Sequence, residues 1–197
     1  MCGIIGYSLT DESLKDEYFG DILSLEKTLS ENNDLMKHRG PDDKGTFYDH
    51  KAGIGLGHRR LAIIDISVLG RQPMSDYQDK VKVVFNGEIY NFKDLKEELK
   101  EDGVKFNSNS DTEVIVYLYK KYGQDMLDKL NGIFSIAIWD RLSDELFIAR
   151  DNLGVKPLYF LNDSRIFVFA SELKALVNFT KGSLEVDLES ISKYLTY

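Results

Sequence analysis

The sequence predicts an α+β protein, with two antiparallel sheets packed face to face and helices outside them. Three observations point there. Short apolar and β-branched runs recur along the chain, joined by short polar turns, as in antiparallel strands. Helical spacing is grouped mainly in blocks near residues 18–37 and 92–130. Strands and helices therefore do not alternate, which argues against a doubly wound parallel sheet. At 197 residues the chain reads as one domain with a substantial core.

Gly3 to Leu9 reads as the first strand, with Ile4, Tyr7 and Leu9 apolar and Gly3 and Gly6 allowing another backbone or a ligand to approach closely. Asp11 to Asp16 reads as a polar turn. From Tyr18 to Lys37, Ile22, Leu25, Leu29 and Met36 follow helical spacing, an amphipathic helix over a core. Gly40-Pro41 breaks it. In that turn Arg39 has Asp42 and Asp43 as candidate salt-bridge partners, with a role in a site as the other reading. Gly45 to His50 and Ala52 to Ile64 read as strands around an Asp49-His50-Lys51 tip. Adjacent Arg59 and Arg60 point to opposite faces of a strand. One can turn inward, where a guanidinium grips a carboxylate through two hydrogen bonds; the other reading is a surface pair.

Residues 66–80 read as a loop and Val81 to Phe85 as a strand, running into Asn86-Gly87-Glu88-Ile89-Tyr90-Asn91. An Asn-Gly pair ordinarily marks a turn. It also supplies a side-chain amide and a backbone N–H that can converge on an oxyanion. Asn91 is a candidate cap for a helix with Leu95 and Leu99 inside, ending at Gly103. Ser110-Asp111-Thr112-Glu113 has the capping-box pattern and opens a helix to about Tyr122, stopped by Gly123. That pattern accounts for Ser110 and Glu113. Asp111 is left in the first turn, where the helix dipole favours an ionised carboxylate able to hold an ammonium group. Gln124 to Leu130 reads as a short helix, Ile133 to Trp139 and Glu145 to Arg150 as a hairpin, and Pro157 to Leu161 and Ile166 to Ala170 as further strands. Glu172 to Val177 reads as a short helix. Val186 to Tyr197 carries a last amphipathic pattern, with Leu188, Ile191 and Leu195 on one face.

The hydrophobic fraction of 43% and charged fraction of 29% are those of a soluble globular protein. A net charge of −8 argues against general binding to nucleic acid or an anionic membrane. No signal peptide is evident, and no run approaches the ~18 apolar residues of a membrane span. A single cysteine excludes an intrachain disulfide framework and fits a reducing, cytoplasmic setting. His38, His50 and His58 lack metal-ligand spacing, so no metal site is expected.

That cysteine is Cys2. Methionine aminopeptidases remove Met1 when the next side chain is small. Removal would place a thiol near pKa ~8.5 and a free amine near ~7.7–8.0 on one residue, a nucleophile carrying its own base. A lone cysteine is otherwise an inert buried hydrophobe, and position alone does not decide between the two.

Met1-Cys2-Gly3-Ile4, His38-Arg39-Gly40-Pro41-Asp42, Gly57-His58-Arg59-Arg60-Leu61-Ala62-Ile63-Ile64-Asp65, Asn86-Gly87-Glu88-Ile89-Tyr90-Asn91, Ser110-Asp111-Thr112-Glu113 and Arg150-Asp151-Asn152-Leu153-Gly154 occur in fixed order. Together they strongly resemble the N-terminal glutaminase domain of glutamine-hydrolysing asparagine synthetases, across essentially the whole chain. The opening motif is shared by all class II glutamine amidotransferases; the second and fourth stretches look like the asparagine-synthetase branch. The resemblance implies an N-terminal-nucleophile hydrolase fold, a four-layer α/β/β/α sandwich. It implies one amidotransferase domain over 1–197, its core about 2–185, with 186–197 beginning a connection to a synthetase domain.

The resemblance also assigns roles. Cys2, freed of Met1, would attack the side-chain amide carbon of L-glutamine, its α-amine relaying the proton to the departing ammonia. Asn86 and the Gly87 N–H look like the oxyanion hole. Arg60 would hold the glutamine α-carboxylate, and Glu88 and Asp111 its α-ammonium. Backbone from Leu61 through Ile63 to Ile64 would line the substrate side chain. No metal or cofactor is implied on this chain; ATP and Mg are expected only on a C-terminal ATP-dependent domain that adenylates aspartate. The nucleotide loop of that domain, which reads like Ser-Gly-Gly-x-Asp-Ser, does not occur here. The chain is therefore expected to be a fragment of a longer synthetase, a stand-alone glutaminase, or a subunit with a separate partner chain, with homodimerisation open. Two alternatives stand beside it. One is the glutaminase half of an amidotransferase for another carboxylate, as in surface-polysaccharide assembly. The other is a non-catalytic glutamine-binding or interaction domain, against which the intact set of Cys2, Arg60, Asn86, Gly87, Glu88 and Asp111 speaks.

Overall fold

The computed structural model describes residues 1–10, 22–162, 164–179 and 186–196. In chain order the elements are β1 (Gly3–Leu9), α1 (Ile22–Leu35), β2 (Asp43–Asp49), β3 (Ile54–Arg60), β4 (Met74–Ser75), β5 (Val81–Ile89), α2 (Phe92–Glu101), α3 (Asp111–Tyr122), β6 (Gly132–Asp140), β7 (Glu145–Arg150), β8 (Tyr159–Asn162), β9 (Ile166–Ala170) and α4 (Leu188–Thr196). The turn expected at Asp11 to Asp16 and the start expected for the first helix lie outside the described residues.

Two antiparallel sheets form, one in the order β2-β3-β1-β9-β8 and the other β4-β5-β6-β7. Strand alternation divides the apolar residues among three layers. On β1, Ile5, Tyr7 and Leu9 face α1 and pack with Leu29 and Met36, while Ile4 faces the second sheet. On β5, Val81, Val83, Phe85 and Ile89 face α2 and α3, and Val84 joins Ala137, Trp139 and Phe169 between the sheets. The result is helix, sheet, sheet, helix. Gly6 is required for this close packing: a Cβ there would sit 2.5 Å from the Phe169 ring.

Several boundaries differ from the sequence expectation, each for a local reason. β3 stops at Arg60, not Ile64. Both of its neighbours begin there, Gly3 opposite Arg59 and Asp43 opposite Arg60, so residues 61–66 have nothing to pair with. β5 does not stop at Phe85. Asn86 and Gly87 pair with Ser135 and Phe134 of β6, and strand pairing overrides the turn preference of Asn-Gly. Within 66–80, Val68–Gly70 is a turn of 3-10 helix and β4 pairs with β5. Gly123–Lys129 is 3-10 helix, as are Leu173–Ala175 and Val177–Phe179. Asn91 does not cap α2 with its side chain; it spans to Lys129 and Asn131, tying α2 to the lead-in of β6. Ser110 does cap α3, accepting from the Thr112 N–H, but Glu113 does not complete a capping box. Its carboxylate instead accepts from the N–H groups of Asn107 and Ser108 and from the Ser108 hydroxyl.

Candidate active site

The inter-sheet layer is apolar at one end and opens into a cavity of about 290 Å³ at the other. Cys2, Arg60, Leu61, Ile63, Ile64, Asn86, Gly87, Glu88 and Asp111, the whole set expected from the sequence, line it. They arrive from the lead-in of β1, the end of β3 and the loop after it, the second half of β5 and the first turn of α3.

Cys2 lies one residue ahead of β1. Its Sγ accepts from the Leu61 N–H at 3.4 Å, and the thiol donates to the Leu61 carbonyl at 3.6 Å. Burial pushes the thiol pKa up, against the pull of the Leu61 hydrogen bond and of the nearby amino terminus and Arg60. A thiol in this state needs a base to become a nucleophile. Met1 stands at the cavity, 59% exposed.

Strand alternation sends Arg60 into the cavity and Arg59 to the opposite face, where it pairs with Asp34 of α1 at 3.1 Å. The Arg60 guanidinium donates to the Ser67 carbonyl at 2.8 Å and to the Asp65 carbonyl. Both are neutral acceptors, and among the described residues no carboxylate forms an ion pair with this guanidinium. Glu88 is exposed at the cavity rim.

The edge of β5 explains the placement of Gly87. β4 covers only Lys82 and Val83. Beyond it, outward N–H groups of β5 go to side chains: Phe85 to Gln72 Oε1 at 2.6 Å and Ile89 to Asp111 Oδ2 at 3.3 Å. By antiparallel alternation the Gly87 N–H lies between these two and points the same way. A side chain at 87 is excluded, because its Cβ would lie 2.2 Å from the Ile133 carbonyl oxygen. Asn86 is 1% exposed, and both polar atoms of its side chain are buried without a partner. An unpaired buried amide costs about 1–3 kcal/mol, so this one is held ready for something that enters the cavity.

Asp111 sits in the first turn of α3, as expected, but it takes up a proton more readily than an exposed carboxylate there would. Burial dominates, and even with the Ile89 N–H bonded to it the carboxyl is raised to about 6. It is 5% exposed. Arg39 also departs from expectation: its carboxylate partner is Glu172, not Asp42 or Asp43.

Several residues around the site were given no role by the sequence, although His58 and Asp65 lie within the stretches that carry the resemblance. Gln72 holds the β5 edge and donates to Thr112 Oγ1 at 3.0 Å. His58, fully buried, reaches the Phe85 carbonyl from β3 at 3.1 Å and is kept neutral by burial, its pKa lowered to about 3. Asp65 accepts from the Asn109 N–H at 2.9 Å, joining the loop after β3 to the lead-in of α3. Lys156 lines the cavity too, its backbone N–H and carbonyl fixed by Asp151 and Arg150. None of these lies in a spacing that singles it out. Among the described residues no group of three or more His, Cys, Asp or Glu is placed to hold a metal, and no helix is long and apolar enough to cross a membrane.

A family model described as a glutamine amidotransferase domain matches residues 1–197. The chain belongs to this family. It is similar to asparagine synthetase [glutamine-hydrolyzing] 1 of Bacillus subtilis (strain 168), 36% identical over 197 residues, covering 100% of this chain and 30% of that protein. It is also similar to asparagine synthetase [glutamine-hydrolyzing] 3 of the same organism, 38% identical over 195 residues, covering 98% of this chain and 30% of that protein. This glutamine amidotransferase domain thus spans about 30% of the length of these curated relatives. Among solved structures it resembles the glutamine phosphoribosylpyrophosphate amidotransferase of B. subtilis complexed with ADP and GMP, with a TM-score of 0.64, 22% identity, and coverage of 89% of this chain and 43% of that one. That likeness shows the fold, the N-terminal-nucleophile sandwich of two antiparallel sheets.

Proposed function

We propose that this domain hydrolyses L-glutamine to L-glutamate and ammonia through a thioester on Cys2. The observation that carries the reading is Asn86: a buried amide with neither polar atom bonded, beside an outward Gly87 N–H, lining the same cavity as the lone thiol. The surroundings match a glutamine zwitterion. Arg60 offers a fixed cation for the α-carboxylate, and Glu88 and Asp111 offer anions for the α-ammonium. The backbone from Leu61 to Ile64 borders the space left for the side chain.

The reaction begins once Met1 is removed. The Cys2 α-amine takes the thiol proton as sulfur bonds to the amide carbon. Asn86 and the Gly87 N–H hold the resulting oxyanion. The tetrahedral species collapses, the proton passes to the leaving nitrogen, and ammonia departs from a glutamyl thioester. Water, deprotonated by the same amine, attacks the thioester carbon, releasing glutamate and restoring the thiol.

The ammonia acceptor we propose is aspartate, activated with ATP and Mg on a further domain or partner chain. The names of the relatives support this, as does α4, whose Leu188, Ile191 and Leu195 are exposed. The reaction is placed in the cytoplasm, in keeping with a free thiol. The test is a glutaminase assay run beside mass determination of the amino terminus. Protein beginning at Cys2 should release glutamate, and both Cys2→Ala and protein retaining Met1 should not. Glutamate release by Cys2→Ala at the rate of the unaltered protein would sink the mechanism.

A further inference from the structure

Arg39, Ser171 and Glu172 line no part of the cavity, yet Arg39 reaches Cys2, Ser171 reaches Ile4 of β1, and Glu172 is joined to Cys2 through Arg39. β9 pairs with β1 as far as Ala170 opposite Ile5. One residue on, Ser171 serves both backbone groups of Ile4: its N–H donates to the Ile4 carbonyl at 2.9 Å and its Oγ accepts from the Ile4 N–H at 3.0 Å. Glu172 follows, with Oε1 accepting from Arg39 Nη1 at 3.1 Å. Arg39 Nε in turn donates to the Cys2 carbonyl at 3.0 Å. His38 Nε2 lies 2.7 Å from the same Glu172 oxygen, and Lys174 Nζ lies 3.1 Å from the other. The Arg39 side chain is 10% exposed and its Nη2 is buried without a partner. Among the described residues Glu172 is the one carboxylate paired with that charge.

We propose that Glu172 is a positioning residue for Cys2. It aims Arg39 at the Cys2 carbonyl. With Leu61 on the thiol and Ser171 on Ile4, that bond fixes the torsions of the nucleophilic residue. Thiol and α-amine share one Cα, so with the carbonyl held by Arg39 and the thiol held by Leu61 the direction of the amine follows. The kinetic part of this inference rests on the glutaminase reading; the placement of the thiol does not.

The test compares Glu172→Ala, Glu172→Gln and Arg39→Lys, each with Met1 removed and with folding checked by thermal melting. Misplacing a reacting group by an ångström costs up to ~10²-fold in rate. Glu172→Ala should therefore lower kcat for glutamine hydrolysis by ~10-fold or more while KM stays within about twofold. Glu172→Gln, which keeps an acceptor for Arg39, should recover most of the rate. Arg39→Lys keeps the charge but not the fork, and should behave like Glu172→Ala. If Glu172→Ala does not fold, Arg39→Lys carries the comparison. A second readout is alkylation of Cys2 by iodoacetamide. It should run several-fold faster in Glu172→Ala as the thiol leaves Leu61. Should the unaltered protein not hydrolyse glutamine, the glutaminase reading fails and alkylation alone decides the positioning role. Unchanged kcat with unchanged alkylation, or a rise in KM at constant kcat, would overturn the proposal.

Discussion

Asp111 carries two opposed demands. Its burial disfavours charge, and the α-ammonium assigned to it requires charge. The carboxyl is raised to about 6 from 3.8, so the folded state holds its proton more tightly than the unfolded chain does. Stability is therefore lost as pH rises between about 4 and 6 and stays lost above that range. Asp111→Asn should raise the melting temperature at pH 7.5, a gain on the order of 2 kcal/mol, and leave it nearly unchanged at pH 4. The same variant should bind glutamine poorly. In the unaltered protein KM for glutamine should climb as pH falls below about 6, the point at which the carboxyl takes up its proton. A KM flat between pH 5 and 8 would contradict the assignment. Asn86 obeys similar logic. Asn86→Ala should cost roughly 10²–10³ in kcat with no loss of thermal stability, since no hydrogen bond to its side chain is given up. The identity of these residues was legible because their chemical types recur in a family pattern. The state of Asp111 was not, since its pKa follows from how deeply α3 is seated and no spacing encodes depth.

At the scale of elements, the site depends on where strands end. β3 stops at Arg60 because both neighbours run out, and Leu61, Ile63, Ile64 and Asp65 of the segment that follows become cavity wall. Sequence pattern saw apolar Leu61, Ile63 and Ile64 and extended the strand; pairing partners decide such ends and are remote in sequence. Asn86-Gly87 misled in the opposite way, as local turn preference gave way to a full ladder with β6. Gly87→Ala should be destabilising by more than about 2 kcal/mol, because its Cβ would meet the Ile133 carbonyl and the Phe134 backbone. Chemical denaturation checks this. The loop after β3 is latched to the lead-in of α3 by Asp65, whose carbonyl also holds Arg60. Asp65→Ala should therefore raise KM for glutamine about tenfold, the value of one charged hydrogen bond, and leave kcat within a few-fold. Steady-state kinetics separate the two.

Across the whole molecule, the two sheets are tightly closed at one end and parted at the other. Phe169, Trp139, Ala137 and Val84 fill the closed end. Polar and charged groups, among them Cys2, Arg60, Asn86 and Asp111, collect at the open end. Layering, strand order of hydrophobicity and the exclusion of a parallel sheet were legible from alternation alone. The cavity was not, because it arises from β4 being too short to cover β5 and from β2 and β1 beginning level with the end of β3. Neither fact is a property of any single segment.

Met1 stands exposed at that open end, joined to Cys2. On the mechanism we propose, any group attached ahead of it, such as an affinity tag or a fused partner, would bar the aminopeptidase and leave an amide in place of the free α-amine. A preparation tagged at the front is then expected to lack glutaminase activity, and one tagged at the other terminus to keep it.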